Sequence, residues 1–183
     1  MSTYFNKPGK QNTEETINIA LKTAKEKGIK NIVVATSTGK TIDYFNDYSG
    51  INIIAVSHAY GFKEPGKNDL PDEKRKELEA KGIKVLSTTH VLSGAERQFS
   101  KMFGGIYPTE IIANTLRLFG QGTKVAVEIA VMALDSGLIP YNEPIISIGG
   151  SSYGADTALI LRPSHGSTIL DTKIDEIIAK PYL

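Results

Sequence analysis

Cysteine is absent from the 183-residue chain. That excludes disulfides, iron–sulfur clusters, thiolate zinc sites and Cys nucleophiles, though it fixes no compartment. An excess of one charge is also missing: 21 Lys and Arg face 20 Asp and Glu, a formal net charge of +1. The balance gives no electrostatic case for a nucleic-acid or membrane-surface partner. Long apolar runs are missing too. Residues 1–12 are polar with no signal-peptide core, and the longest apolar stretch, Val125 to Leu134, is broken by Glu128 and too short to span a bilayer. No repeat, low-complexity segment or Pro/Gly/Ser linker divides the chain, so one domain over 1–183 is expected, with a cytoplasmic location.

What is present alternates between two periods. Ile17, Ala20, Leu21 and Ala24 fall at helical spacing within 13–27, with Asn12 as N-cap and Gly28 as terminator. The run Asn31 to Thr36 is β-branched without polar alternation, as in a strand covered on both faces. A short helix over 40–47, a strand over 51–57, a charged surface helix over 71–81 opened by Pro71, and a strand over 83–87 follow. Three helices come next: 93–103 with Ser93 and Glu96 as a capping box, 108–119, and 122–136, which is apolar on nearly every face and therefore sandwiched. Strands over 145–149 and 157–161 and a helix over 172–179 complete the chain. This is an α/β pattern, a three-layer α/β/α sheet. Only seven residues separate the last two strands, too few for a parallel crossover, so the fifth strand is expected to run antiparallel.

Ligands of open α/β sheets sit at the carboxyl ends of the strands, where the winding reverses. The loop after the first strand, Thr36-Ser37-Thr38-Gly39-Lys40-Thr41, carries hydroxyls, a glycine and a lysine at a strand-to-helix turn, a composition suited to a phosphate. It is not a Walker-A loop, because Val34 stands where that motif needs glycine. The structural alternative is a helix-capping turn. The second loop, Gly149 to Asp156, has Gly149, Gly150 and Gly154 with two serines, permitting close backbone approach, and Tyr153 offers a stacking face; the alternative is a plain hairpin turn. The two converge if the first and fourth strands are neighbours.

His58 and His90 follow the second and third strands, and His165 follows the fifth, at the opposite end of the sheet. No three-histidine metal site is therefore expected. His58 either contacts ligand or is a solvated loop residue. Glu128, inside the most apolar helix, must be paired with a backbone amide or a lysine, or face a ligand. Arg97 and Lys101, one turn apart, either meet an anion or form a solvated face. No Ser/His/Asp triad or paired carboxylates stand out, so no catalytic residue is assigned.

The segments NIVVATSTGKT and INIIAVS resemble the C-terminal allosteric domain of pyruvate kinase, where the Ser/Thr-rich turn binds the phosphate of a sugar-phosphate activator. The patterns YFNKPGKQNTEET, THVLSGAER, VAVEIAVMALDSG and GGSSYGADTALILRP make the chain resemble more closely a stand-alone family with a pyruvate kinase C-terminal-like fold, known chiefly from archaea. The resemblance covers most of Tyr4 to Pro163. It implies a five-stranded sheet of order 3-2-1-4-5 with strand 5 antiparallel, and flavin mononucleotide (FMN) as ligand, with no established reaction. By the same resemblance Ser37, Thr38, Gly39 and Thr41 hold the 5′-phosphate with Lys40 beside them, Asn6 and Lys7 lie near the ligand, Gly149, Gly150 and Gly154 flank the ring or ribityl chain, and Tyr60 stacks. The expected function is an FMN-binding protein, a flavin-dependent oxidoreductase of unknown substrate; the alternative is a non-catalytic sensor of a phosphorylated metabolite. A pyruvate kinase barrel needs about 250 residues and does not fit within this chain. Homo-oligomerisation is left open.

Overall fold

The computed structural model describes residues 2–183. Helix α1 (Thr13–Lys27) ends at Gly28 in the left-handed conformation, φ 68°, which glycine adopts without a Cβ penalty. Its stripe of Ile17, Ala20, Leu21 and Ala24 is buried against one face of the sheet, each large side chain contributing about 1.5–3 kcal/mol. Strands β2 (Asn31–Ala35) and β3 (Asn52–Ser57) pair in parallel, and β4 (Lys84–Ser87) pairs in parallel with β3. Between β3 and β4 lies α2 (Asp72–Ala80), which has Pro71 at its N-cap and buries only Leu78.

After β4 come α3 (Glu96–Phe103), α4 (Pro108–Arg117) and α5 (Gln121–Asp135). Helix α5 is buried from Gly122 to Leu134 apart from the half-buried Val125. It covers the second face of the sheet, packing on Val33, Ile54, Ile145, Leu159 and Leu161, while α4 closes over its outer side. Successive residues of β2 alternate accordingly: Ile32 and Val34 face α1, and Val33 faces α5. The layers are α1 and α2, sheet, then α5.

Strand β5 (Ile145–Gly149) pairs in parallel with β2, placing their following loops side by side. Strand β6 (Thr157–Arg162) returns antiparallel, as the short connection requires.

The five-stranded order expected from the sequence is corrected. The sheet has seven strands in the order β1-β7-β6-β5-β2-β3-β4. The segment expected as a C-terminal helix over 172–179 is strand β7 (Lys173–Pro181), antiparallel to β6, and β1 (Thr3–Phe5) adds in parallel to its outer side. Ile174, Ile177 and Ile178 have helical spacing, but the open edge of β6 offers a full ladder of hydrogen bonds to β-branched residues, and that non-local pairing wins. Three local readings also change. Asn12 does not cap α1: the chain enters through a 3-10 turn, Lys10–Asn12, and the Asn12 amide donates to the Lys7 carbonyl. Ser93 and Glu96 form no capping box, because α3 begins at Glu96 and the Ser93 hydroxyl donates to Glu128. The helix expected over 40–47 is a 3-10 turn, Lys40–Tyr44.

Candidate functional site

At the carboxyl ends of β2, β3, β4 and β5 lies a cavity of about 660 Å³. Its floor is Ala35, Val56 and Ile129; the 36–41 and 150–154 loops form one side, and α3, α4 and the first turns of α5 the other.

The 36–41 loop is shaped by its own hydrogen bonds. The Gly39 N–H donates to the Thr36 hydroxyl oxygen at 3.0 Å, and Gly39 sits at φ 86° with its bare Cα against Leu70 and Lys74. Among the described residues, the backbone N–H groups of Ser37, Thr38, Lys40 and Thr41 have no acceptor. Ser37 and Thr41 line the cavity; Thr38, Gly39 and Lys40 do not, and Lys40 is exposed. Since the following helical segment is a single 3-10 turn, anion affinity here rests on N–H and hydroxyl donors rather than on a helix dipole.

Beside this loop, Gly150, Ser151, Ser152 and Gly154 line the same side of the cavity. Asp156, fully buried, accepts from Thr157 Oγ1 and from the Gly9 and Ser151 N–H groups, tying the N-terminal loop to this turn. Gly149 serves packing instead: a Cβ there would come within 2.2 Å of the Gly122 carbonyl oxygen on α5. Asn6, Lys7, Tyr60 and Tyr153 are exposed and do not line the cavity.

One wall is rich in titratable groups. His58 Nδ1 lies 2.6 Å from Asp69 Oδ2, the ring stacks on Phe62 at 4.0 Å, and the edge of His90 approaches at 5.6 Å. Burial pushes the His90 imidazole below its ordinary value; Glu128 opposes this, and His58, Lys124 and Arg97 reinforce it. With Nδ1 engaged by a carboxylate, Nε2 is the atom of His58 left to exchange a proton or hydrogen bond with a guest.

Near His90, Lys124 and Glu128 form an ion pair with both side chains 5% exposed. Glu128 also accepts from the Leu92 N–H at 2.9 Å and from the Ser93 hydroxyl. It is both structurally paired and cavity-lining. Burial pushes the Lys124 ammonium below its ordinary value, Glu128 opposing and Arg117 and Arg97 adding to the shift.

A family model of the pyruvate kinase alpha/beta domain matches residues 14–161. The chain belongs to that family. Among solved structures it is similar to a pyruvate kinase from Cryptosporidium parvum, with 19% identity and a TM-score of 0.44, covering 82% of this chain and 22% of that one. It is also similar to the Cryptosporidium parvum pyruvate kinase in complex with ADP, with 20% identity and a TM-score of 0.41, covering 86% and 25%. This pyruvate kinase alpha/beta domain chain thus spans about a quarter of the length of those enzymes or less.

Within this family member, Arg97 and Arg117 complete the cavity. Arg117 donates to Gln121 and Asn114, both neutral, and among the described residues neither guanidinium meets a carboxylate. Lys101 does not line the cavity, so the Arg97–Lys101 pair is split. Sequence reasoning missed Arg117 and Glu110, which reach the site only through the packing of α4 on α5, and Gln121 at the first position of α5. Lys124 had a signal, a second charge four residues from Glu128 on an otherwise apolar helix. His165 lies at the other end of the molecule, bound to Asp135 and stacked on Tyr141. Among the described residues no helix is long and apolar enough to cross a membrane.

Proposed function

We propose that this chain binds a phosphorylated ligand, FMN, in the cavity at the carboxyl edge of its sheet. The observation that carries the reading is that the loops following the adjacent parallel strands β2 and β5 open on one cavity, with unengaged N–H groups on the first and bare glycine backbone on the second. The residues suit FMN. The volume lies within the roughly 300–1,000 Å³ usual for cofactor sites, hydroxyls and glycines stand at one end, and the Phe62–His58–His90 cluster gives an aromatic wall. Ser37 and Thr41 would hold the phosphate, Gly150 and Gly154 would let the chain of the ligand pass close to the backbone, and Phe62 would flank the ring. Bound flavin supplies one- and two-electron redox chemistry. The chain's own contribution is orientation, positive charge from Lys124 held by Glu128, and a proton-exchanging Nε2 on His58 held by Asp69.

A second reading, a non-catalytic sensor of a phosphorylated metabolite, is favoured by Arg97 and Arg117. Two guanidiniums without carboxylate partners suit a ligand with a second anionic group.

Flavin fluorescence titrations test the first reading. FMN is expected to be quenched saturably and to bind at least tenfold tighter than riboflavin, which lacks the phosphate; Ser37→Ala with Thr41→Val removes that preference. Absence of saturable quenching, with thermal stabilisation by sugar phosphates instead, overturns it in favour of the sensor.

A further inference from the structure

We propose that the outer face of α3 and α4 is a self-association surface, covered by the same face of a second copy of this chain. Helix α3 buries none of its residues against the body of the protein. Its Phe99, Met102 and Phe103 recur at i, i+3 and i+4, so they form one stripe, and the exposed Ile106 follows just beyond the Gly104–Gly105 turn. Along α4, Ile111 and Leu118 at its C-cap lie two turns apart on a row distinct from the one that carries Glu110, Asn114 and Arg117 to the cavity, and the exposed Phe119 follows just after the helix. Within α3 the Phe99 ring lies 6.5 Å from Phe103, and it meets Tyr107, the N-cap of α4, at 6.3 Å, which joins the two helices. Leu183, beside Gly120, extends the surface.

Scattered exposed apolar side chains are ordinary on a soluble protein, but a contiguous patch is not. The seven from Phe99 to Phe119 are 48% to 77% exposed and together present on the order of 900 Å², against the roughly 800 Å² that each partner of a specific interface buries. One such face is enough for a dimer.

The rim favours a second copy over other occupants. Outside the cavity it carries both signs, Glu96 with Lys101, so two identical faces related by a two-fold axis meet without an excess of like charge. An anionic membrane surface is matched instead by a uniformly basic rim. The arrangement bears on the cavity too. The inner sides of α3 and α4 bring Arg97 and Arg117 to it, and the helices are joined through Gly104 and Gly105, at φ 72° and 90°. A partner covering the outer face therefore fixes the guanidiniums on the inner one.

Sedimentation velocity on the full chain tests the proposal without any ligand. The expected species at micromolar concentration is a dimer of twice 19.8 kDa, and Phe103→Glu with Ile106→Glu is expected to be a monomer with an unchanged circular dichroism spectrum. A monomeric wild type, or a double variant that still dimerises, overturns it. Sedimentation of monomeric protein with anionic phosphatidylserine vesicles also overturns it and assigns the face to a membrane. Should the double variant fail to fold, Ile106→Cys supplies the only thiol in the chain, and a short bismaleimide is expected to bridge two copies. Bridging no faster than for Leu170→Cys, an equally exposed position away from the arm, overturns the proposal.

Discussion

The molecule carries two His–Asp pairs, one at each end of the sheet, and their chemistry is nearly the same. His58 Nδ1 lies 2.6 Å from Asp69, and His165 Nδ1 lies 2.8 Å from Asp135. Each ring also stacks on an aromatic side chain, Phe62 in one case and Tyr141 in the other. Their surroundings differ. The Asp69 side chain is 12% exposed and its histidine lines a cavity beside His90, whereas the Asp135 side chain is 40% exposed and ties down a surface turn through the Gly166 N–H. A hydrogen-bonded imidazole is therefore not a site by itself. What sets the first pair apart is the fold, which gathers four loops at the carboxyl ends of parallel strands beside it.

The contrast between the two ends can be broken most strongly at Lys124. Replacing it with Met leaves the Glu128 carboxylate buried without its cation and is expected to cost about 3–5 kcal/mol. The Lys124→Met/Glu128→Leu double variant is expected to recover most of that loss in denaturant unfolding. The corresponding change at the far end, Arg162→Ala, removes a solvent-exposed partner of Asp175 and is expected to move stability far less. Equal losses at the two ends would contradict the contrast.

Next in size is Gly149→Ala. A Cβ would press on the Gly122 carbonyl and the Ala126 N–H, both backbone groups that cannot turn away, and the expected cost is about 1–3 kcal/mol. If this glycine instead touched ligand only, stability would hold and flavin affinity alone would fall.

A pH series sharpens the comparison further. Burial holds the folded-state pKa of His90 below its ordinary value of 6.5. Between the two values the unfolded chain binds the proton and the folded one does not, so stability is expected to fall as pH drops below about 6.5 and to level off below the folded value. His90→Gln should flatten that part of the melting-temperature profile, and an unchanged slope in that variant would contradict the assignment.

The smallest expected effect is on the pairs themselves. Asp69→Asn should lower the melting temperature more than Asp135→Asn, because Asp69 is the less exposed carboxylate. His58 and Lys63 outweigh the opposing effect of its burial and hold it below the usual carboxylate range.

The inner architecture was legible because its signals are local. The stripe of α1 and its terminating Gly28, the β-branched runs of β2 and β3, and the seven-residue limit on the β5–β6 connection can each be read without tertiary information. The outer strands were not. β1 is three residues long, too short for a period, and the isoleucines of β7 fit a helix until the edge of β6 is known to be open. At the site, the loops holding Ser37, Thr41, Gly150 and Gly154 could be found from composition and strand position. Thr38, Gly39, Lys40 and Gly149 share that composition but face outward or into packing, a difference only backbone direction decides. Arg97 reads in the sequence either as an anion contact or as half of a solvated pair with Lys101, and Arg117 carries no signal, since α4 reaches the cavity only by lying over α5.

Amide-resolved NMR during a titration with inorganic phosphate tests most directly whether a shared cradle is formed at this edge. The N–H resonances of Ser37 and Thr41 on one turn and Ser152 on the other are expected to shift together, with a single dissociation constant. Shifts confined to one turn, or unrelated constants for the two, would contradict the account.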